Sequence, residues 1–188
     1  EQFAVSVSMS ADGEYIVLGT YGSDGDKVYL FNKDSNSPIW SYDTGSTIQY
    51  VKISADGEYA IANNNDKKLF LFDKDSSTPV WNITFANYPQ ALAISSDGEY
   101  ISVGTSSNNN ENHIYLFDKD STTPLWKYNV SADTDSNNNK ITTVSMSANG
   151  EYISVGTEGY SSSDYTGGMV YLFDKDNSTP LWTYTVDY

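Results

Sequence analysis

Aspartates, tryptophans and one histidine are the side chains here whose types and spacing could do chemistry. Asp-Lys-Asp stands at 73–75, 118–120 and 174–176, with Asn32-Lys33-Asp34 as a fourth version. Two carboxylates two residues apart can share a hard cation such as calcium. The same spacing makes an Asx-type turn, in which an acid accepts backbone N–H groups, and its recurrence in every copy of a repeat favours the turn. Trp40, Trp81, Trp126 and Trp182 each follow Pro-x and could stack on a sugar. Their fixed place in the repeat favours packing between repeats. His113, the only histidine, has no Gly-x-Ser-x-Gly partner and neither cysteine nor a second histidine to share a metal, so it reads as a surface residue.

Two other acidic stretches are candidate calcium sites. Ser23-Asp24-Gly25-Asp26 offers Asp24 and Asp26; Asp133-Thr134-Asp135-Ser136-Asn137 offers Asp133, Asp135 and Asn137. The second matches the first half of an EF-hand loop, with Asn138 where that loop has Gly and Val144 where it closes with Glu. Calcium apart, no cofactor is expected. Tyr21, Tyr160 and Tyr165 fall in segments that differ between copies and are candidate ligand contacts. Asn82, Asn129 and Asn177 head Asn-x-Ser/Thr acceptors for N-glycosylation.

These residues are carried by a unit written four times. Asp-Gly-Glu-Tyr at 12–15, 56–59 and 97–100, with Asn-Gly-Glu-Tyr at 149–152, opens each copy. Leu-Phe-Asx-Lys-Asp follows at 30–34, 71–75, 116–120 and 172–176, and Pro-x-Trp closes the copy. The period, 41 to 56 residues, is that of an array in which one supersecondary unit stacks on the next. In the fourth copy Val144 and Met146 alternate with Thr143 and Ser145, which reads as a strand; Gly150 then takes the positive φ of a tight hairpin. Val170-Tyr171-Leu172-Phe173 is apolar without alternation, which predicts a strand buried on both faces.

Four antiparallel strands per copy, sandwiched between neighbouring sheets, predict an all-β fold: a β-propeller of four four-stranded antiparallel blades. It forms either a closed four-bladed ring or part of a larger ring of seven to eight. The chain reads as one repeat domain over 1–188, with blades at about 1–44, 45–85, 86–130 and 131–188. Its first-to-second and third-to-fourth hairpins repeat almost unchanged. The second-to-third loops and the blade-to-blade connections vary, so one face of the array carries the variation and is the expected place for a site.

Ser-Ala-Asp-Gly-Glu-Tyr-Ile-Val-Leu-Gly-Thr at 10–20 resembles the first hairpin of WD40-type propellers. Val28 to Asp34 followed by Pro38-Ile39-Trp40 resembles the closing half of a quinoprotein-type, PQQ-like repeat. Both resemblances imply a propeller, and neither implies quinone. The Gly-His pair and terminal Trp-Asp of WD40 repeats do not occur, and there is no arginine for quinone or sialidase chemistry.

Ten lysines and no arginine face 25 acids, for a formal charge of −15. Such a surface repels phosphate backbones and anionic membranes, so no nucleic-acid partner is expected. No apolar run reaches bilayer length, so direct membrane insertion is not expected. With 188 residues the chain can bury a core without disulfides, and it has no cysteine. The composition, rich in Ser, Thr, Asn and Tyr, points to an extracellular or cell-surface setting, and the start at Glu1 to processing or excision from a longer chain. The expectation is therefore a non-catalytic structural, adhesive or protein-interaction module. Its expected partners are a second copy, as a homo-oligomer, or further blades of the same protein. The alternative is a ligand-binding propeller that takes a glycan, peptide or calcium on its variable face; an enzyme such as a glycosidase or quinoprotein relative ranks third, because the residues for that chemistry are absent.

Overall fold

The computed structural model describes residues 1–23, 25–107, 111–133, 140–159 and 167–186. Sixteen strands form four antiparallel sheets in chain order. The first holds β1 (Gln2–Met9), β2 (Tyr15–Gly22), β3 (Lys27–Asn32) and β4 (Trp40–Asp43). β5 (Ile48–Ile53), β6 (Tyr59–Asn64), β7 (Lys68–Asp73) and β8 (Trp81–Thr84) make the second. The third comprises β9 (Tyr88–Ile94), β10 (Tyr100–Ser106), β11 (His113–Asp118) and β12 (Trp126–Asn129). A short 3-10 turn, Val130–Asp133, leads to β13 (Ile141–Met146), β14 (Tyr152–Thr157), β15 (Met169–Asp174) and β16 (Trp182–Thr185). The fold is all-β, four four-stranded blades in a propeller-like array.

Local chemistry fixes each first hairpin. The Ser10 hydroxyl donates to Asp12 Oδ1 at 2.6 Å and accepts the Tyr15 N–H at 3.0 Å, while Asp12 Oδ1 also accepts the Glu14 N–H. Ser54, Ser95 and Ser147 do the same in the other sheets, with Asn149 replacing the acid in the last. Gly13, Gly57, Gly98 and Gly150 sit at φ of 72 to 78°, where a side chain would be strained.

The apolar core lies between sheets. One cluster joins Val17, Val28 and Leu30 of the first sheet to Ile48, Val51, Phe70 and Phe72 of the second. A second joins Ile61, Leu69 and Leu71 to Leu92, Ile101 and Phe117, and a third joins Ile114 and Leu116 to Ile141, Val144, Tyr171 and Phe173. Consequently β7, flanked on both sides, buries Leu69, Phe70, Leu71 and Phe72 alike, whereas β3 and β15, each with one neighbouring sheet, bury only alternate side chains. Among the described residues the fourth sheet makes no comparable contact with the first, so the four sheets do not close a ring by themselves. The outer face of β1 is correspondingly open. Val7 and Met9 are 65% and 62% exposed, while Val51 and Ile53, which hold the same repeat positions in β5, are 1% and 7% exposed.

Candidate functional site

The repeated acids are engaged in their own hairpins. Asp73 Oδ1 accepts the Asp75 N–H at 2.8 Å, as Asp118 does for Asp120 and Asp174 for Asp176, and Asn32 takes this place in the first sheet. The second acid of each motif pairs with the intervening lysine, which also reaches the glutamate of the first hairpin. Lys74 Nζ lies 2.9 Å from Asp75 and 3.1 Å from Glu58, and Lys33, Lys119 and Lys175 repeat the arrangement. The hydrogen bonds that the Lys74 ammonium donates to Asp75 and Glu58 raise its pKa above the usual lysine value. The two carboxylates of each motif are thus divided between an amide and an ammonium and do not converge on one point.

Trp40, Trp81 and Trp126 each bridge two sheets. Trp40 lies 5.3 Å from the Phe72 ring and Trp126 5.3 Å from Phe173. Their indole N–H groups donate to the carbonyls of Lys74 and Lys175, and Trp81 donates to that of Lys119. Trp182 has no following sheet and is half exposed. His113 opens β11 with its Nδ1 3.3 Å from the Glu111 carbonyl and its ring beside Tyr115. Burial lowers its pKa below the ordinary histidine value.

The other candidates separate. Asp26 Oδ1 accepts the Gly22 N–H at 3.2 Å, which commits it to its turn. Asp133 ends the 3-10 turn; Asp24, Asp135, Asn137, Tyr160 and Tyr165 lie outside the described residues. Among the described residues no three acids or histidines are grouped to hold a metal ion. Tyr21 is exposed at the end of β2 and stacked on Phe3 with centroids 5.1 Å apart. Asn82 is exposed on the edge strand β8, Asn177 is exposed and accepts the Thr179 N–H, and Asn129 is half buried and accepts that of Ser131.

Where the second-to-third loops and inter-sheet connections meet, the variable face holds an open depression of about 600 Å³. Tyr50, Lys67, Tyr88, Gln90, Lys140 and Glu158, from three sheets, contribute to its wall. Lys67, at the unusual φ of 62°, donates to the Ala86 carbonyl and stands 4.9 Å over the Tyr88 ring. Lys140 Nζ is 3.9 Å from Glu158. The depression can offer aromatic faces, amides and paired charges to a polar ligand. Tyr50 and Gln90 carry no sequence signal, because they project from regular inner strands.

Among the described residues, the two ends of the array are apolar sheet faces without a neighbouring sheet. Val7, Met9, Ile16, Leu18, Tyr29 and Phe31 form the open face of the first sheet, and Tyr152, Val170, Leu172, Trp182 and Tyr184 that of the fourth; Val7, Met9, Tyr152, Trp182 and Tyr184 are exposed, and Ile16, Leu18, Phe31, Val170 and Leu172 are partly exposed where their counterparts inside the array are buried. Leu181 is not diagnostic, since Ile39, Val80 and Leu125 are equally exposed.

No curated protein matches the chain. The model of a family of unknown function, DUF5711, matches residues 4–112, more than half of the chain, and the protein belongs to that family.

Proposed function

We propose that the protein is a non-catalytic interaction module of an extracellular or cell-surface assembly, built on a WD40-like or PQQ-like propeller repeat. The observation that carries this reading is the pair of apolar end faces, which resemble the inter-sheet cores of the same array but have no neighbouring sheet among the described residues. Exposed apolar patches of this kind mark interaction sites. The reactive side chains support it too: the repeated acids, lysines and inner tryptophans are occupied in holding turns and sheets together. The composition supports the extracellular setting.

Methionine oxidation tests the interaction. Met9 is largely exposed in the isolated chain, and Met169 is buried and serves as the control. In material taken from its native source Met9 should resist peroxide as Met169 does; equal reactivity of Met9 in native and isolated protein would remove the reading.

The depression on the variable face favours a second reading, binding of a glycan or peptide between Tyr50 and Tyr88. Binding on a glycan or peptide array should then be lost in Tyr88→Ala, and binding that survives this substitution counts against that site.

A further inference from the structure

The three interfaces inside the array follow one pattern, and the two open faces carry its two halves. In each interface the tryptophan of one sheet donates to the lysine carbonyl of the next: Trp40 to Lys74 at 2.8 Å, Trp81 to Lys119 at 2.6 Å, Trp126 to Lys175 at 2.7 Å. Trp182 continues the donor series, and Phe31 with Lys33 continues the receiving series. The Lys33 side chain is 45% exposed, against 19%, 15% and 19% for Lys74, Lys119 and Lys175, each of which has a preceding sheet over it.

We propose that a second copy of this chain covers both faces, the first sheet of each copy seated on the fourth sheet of the other, closing a ring of eight blades. The proposal rests on the interaction reading above and names its partner. Trp182 would donate to the Lys33 carbonyl of the second copy and lie against its Phe31.

Two further registers match. Ser6 and Ser8 of β1 accept the N–H groups of Val51 and Ile53 at 3.1 and 3.3 Å. Thr143 and Ser145 put hydroxyls at the same positions of the fourth sheet, facing the places that Val7 and Met9 would take, whereas Tyr50 and Lys52 or Ala91 and Ala93 stand there in the middle sheets. Tyr15, Tyr59 and Tyr100 each lie over the hairpin glycine of the next sheet, Gly57, Gly98 and Gly150. Tyr152 is exposed, and above Gly13 only the Met9 sulfur comes within 4.0 Å of an added Cβ. Propellers contain four to eight blades. Among the described residues the four sheets do not close a ring, and two copies are the one multiple of this unit that stays in range. The two contacts are then equivalent by a two-fold axis.

Light scattering on the 188-residue chain should give twice 20.8 kDa. Because each copy carries −15, salt should strengthen the association. Trp182→Ala should weaken it about 30-fold or more while leaving the circular dichroism of the monomer unchanged. Orientation is read by cross-linking, since the chain has no cysteine of its own. The Ala11 N–H donates to the Ala55 carbonyl and that of Ser96 to Ala148, both at 2.8 Å, so residues 148 and 11 of facing copies should meet. Chains with only Ala148→Cys mixed with chains with only Ala11→Cys should form disulfide-linked pairs, and neither variant should do so alone. A monomer, an open polymer, a dimer indifferent to Trp182→Ala or cross-linking within one variant would each overturn the proposal. A monomeric chain whose Met9 is nonetheless protected in native material would leave the interaction reading standing with a different partner.

Discussion

Trp40→Ala measures what one inter-sheet contact contributes. The indole is half buried, 5.3 Å from the Phe72 ring, with its N–H on the Lys74 carbonyl at 2.8 Å. Truncating a fully buried tryptophan costs about 3–5 kcal/mol. Here part of the ring already meets solvent, which brings the packing loss to about 2 kcal/mol. The lost hydrogen bond adds about 1 kcal/mol and the aromatic pair about 0.5 kcal/mol. A loss of roughly 3–4 kcal/mol lowers the melting temperature of a chain this size by about 6–16 °C. Trp40→Phe keeps the ring contact and should lose only about 1–2 kcal/mol. Trp182→Ala removes the same side chain where no sheet follows, so in the monomer it should stay within about 0.5 kcal/mol of the parent. Urea and thermal unfolding followed by circular dichroism, at concentrations where only monomer is present, make the comparison. Equal effects of Trp40→Ala and Trp182→Ala would refute the reasoning, because the presence of a neighbouring sheet would then not set the cost.

Gly104→Ala would drive its new methyl into Ile141 and Val144 of the next sheet and should cost about 1–3 kcal/mol. Ile141→Ala should cost less in that background than alone, and strict additivity in urea melts would contradict the contact. Ser95→Ala removes a buried hydroxyl that serves both Asp97 and the Tyr100 amide and should cost about 1–2 kcal/mol near neutral pH. Burial pushes the Asp97 carboxyl up, but the Ser95 hydroxyl and the Glu99 amide outweigh it, leaving its pKa below the usual value. Its stabilising contribution is therefore present above about pH 3.9 and lost as pH falls through the folded value, and Ser95→Ala should flatten that acid limb. His113, lowered by burial, should titrate by NMR with a midpoint below about 6.5. Its folded state binds protons less readily than the unfolded chain, so its contribution is full above that pH and declines below it; a midpoint at or above 6.5 would show the ring is not desolvated.

The hairpins were legible because their chemistry is local: Ser, Asx, Gly, Glu and Tyr within six residues hold the first turn, and Asx-Lys-Asp the third. The coupling between sheets was not, because it joins residues about thirty to fifty positions apart whose types make sense only together. Gly19 and Gly104 make room for Ile48 and Ile141 of the next sheet. In the second sheet Asn63 stands in place of the glycine, and the isoleucine it would meet is replaced by Pro89, whose carbonyl accepts the Asn63 side-chain N–H at 3.0 Å. Each exchange looks arbitrary in isolation and is compensated in the fold. The loop depression was hidden for a similar reason, since Tyr50, Lys67 and Lys140 converge only when three sheets stand side by side. In sequence the copies differ chiefly in their second-to-third loops and connections. Pro124-Leu125-Trp126 and Pro180-Leu181-Trp182 are spelled alike, yet Trp126 lies against Phe173 while Trp182 faces solvent. Position in the array therefore distinguishes copies that composition does not, and the end sheets carry a binding capacity that no single repeat displays.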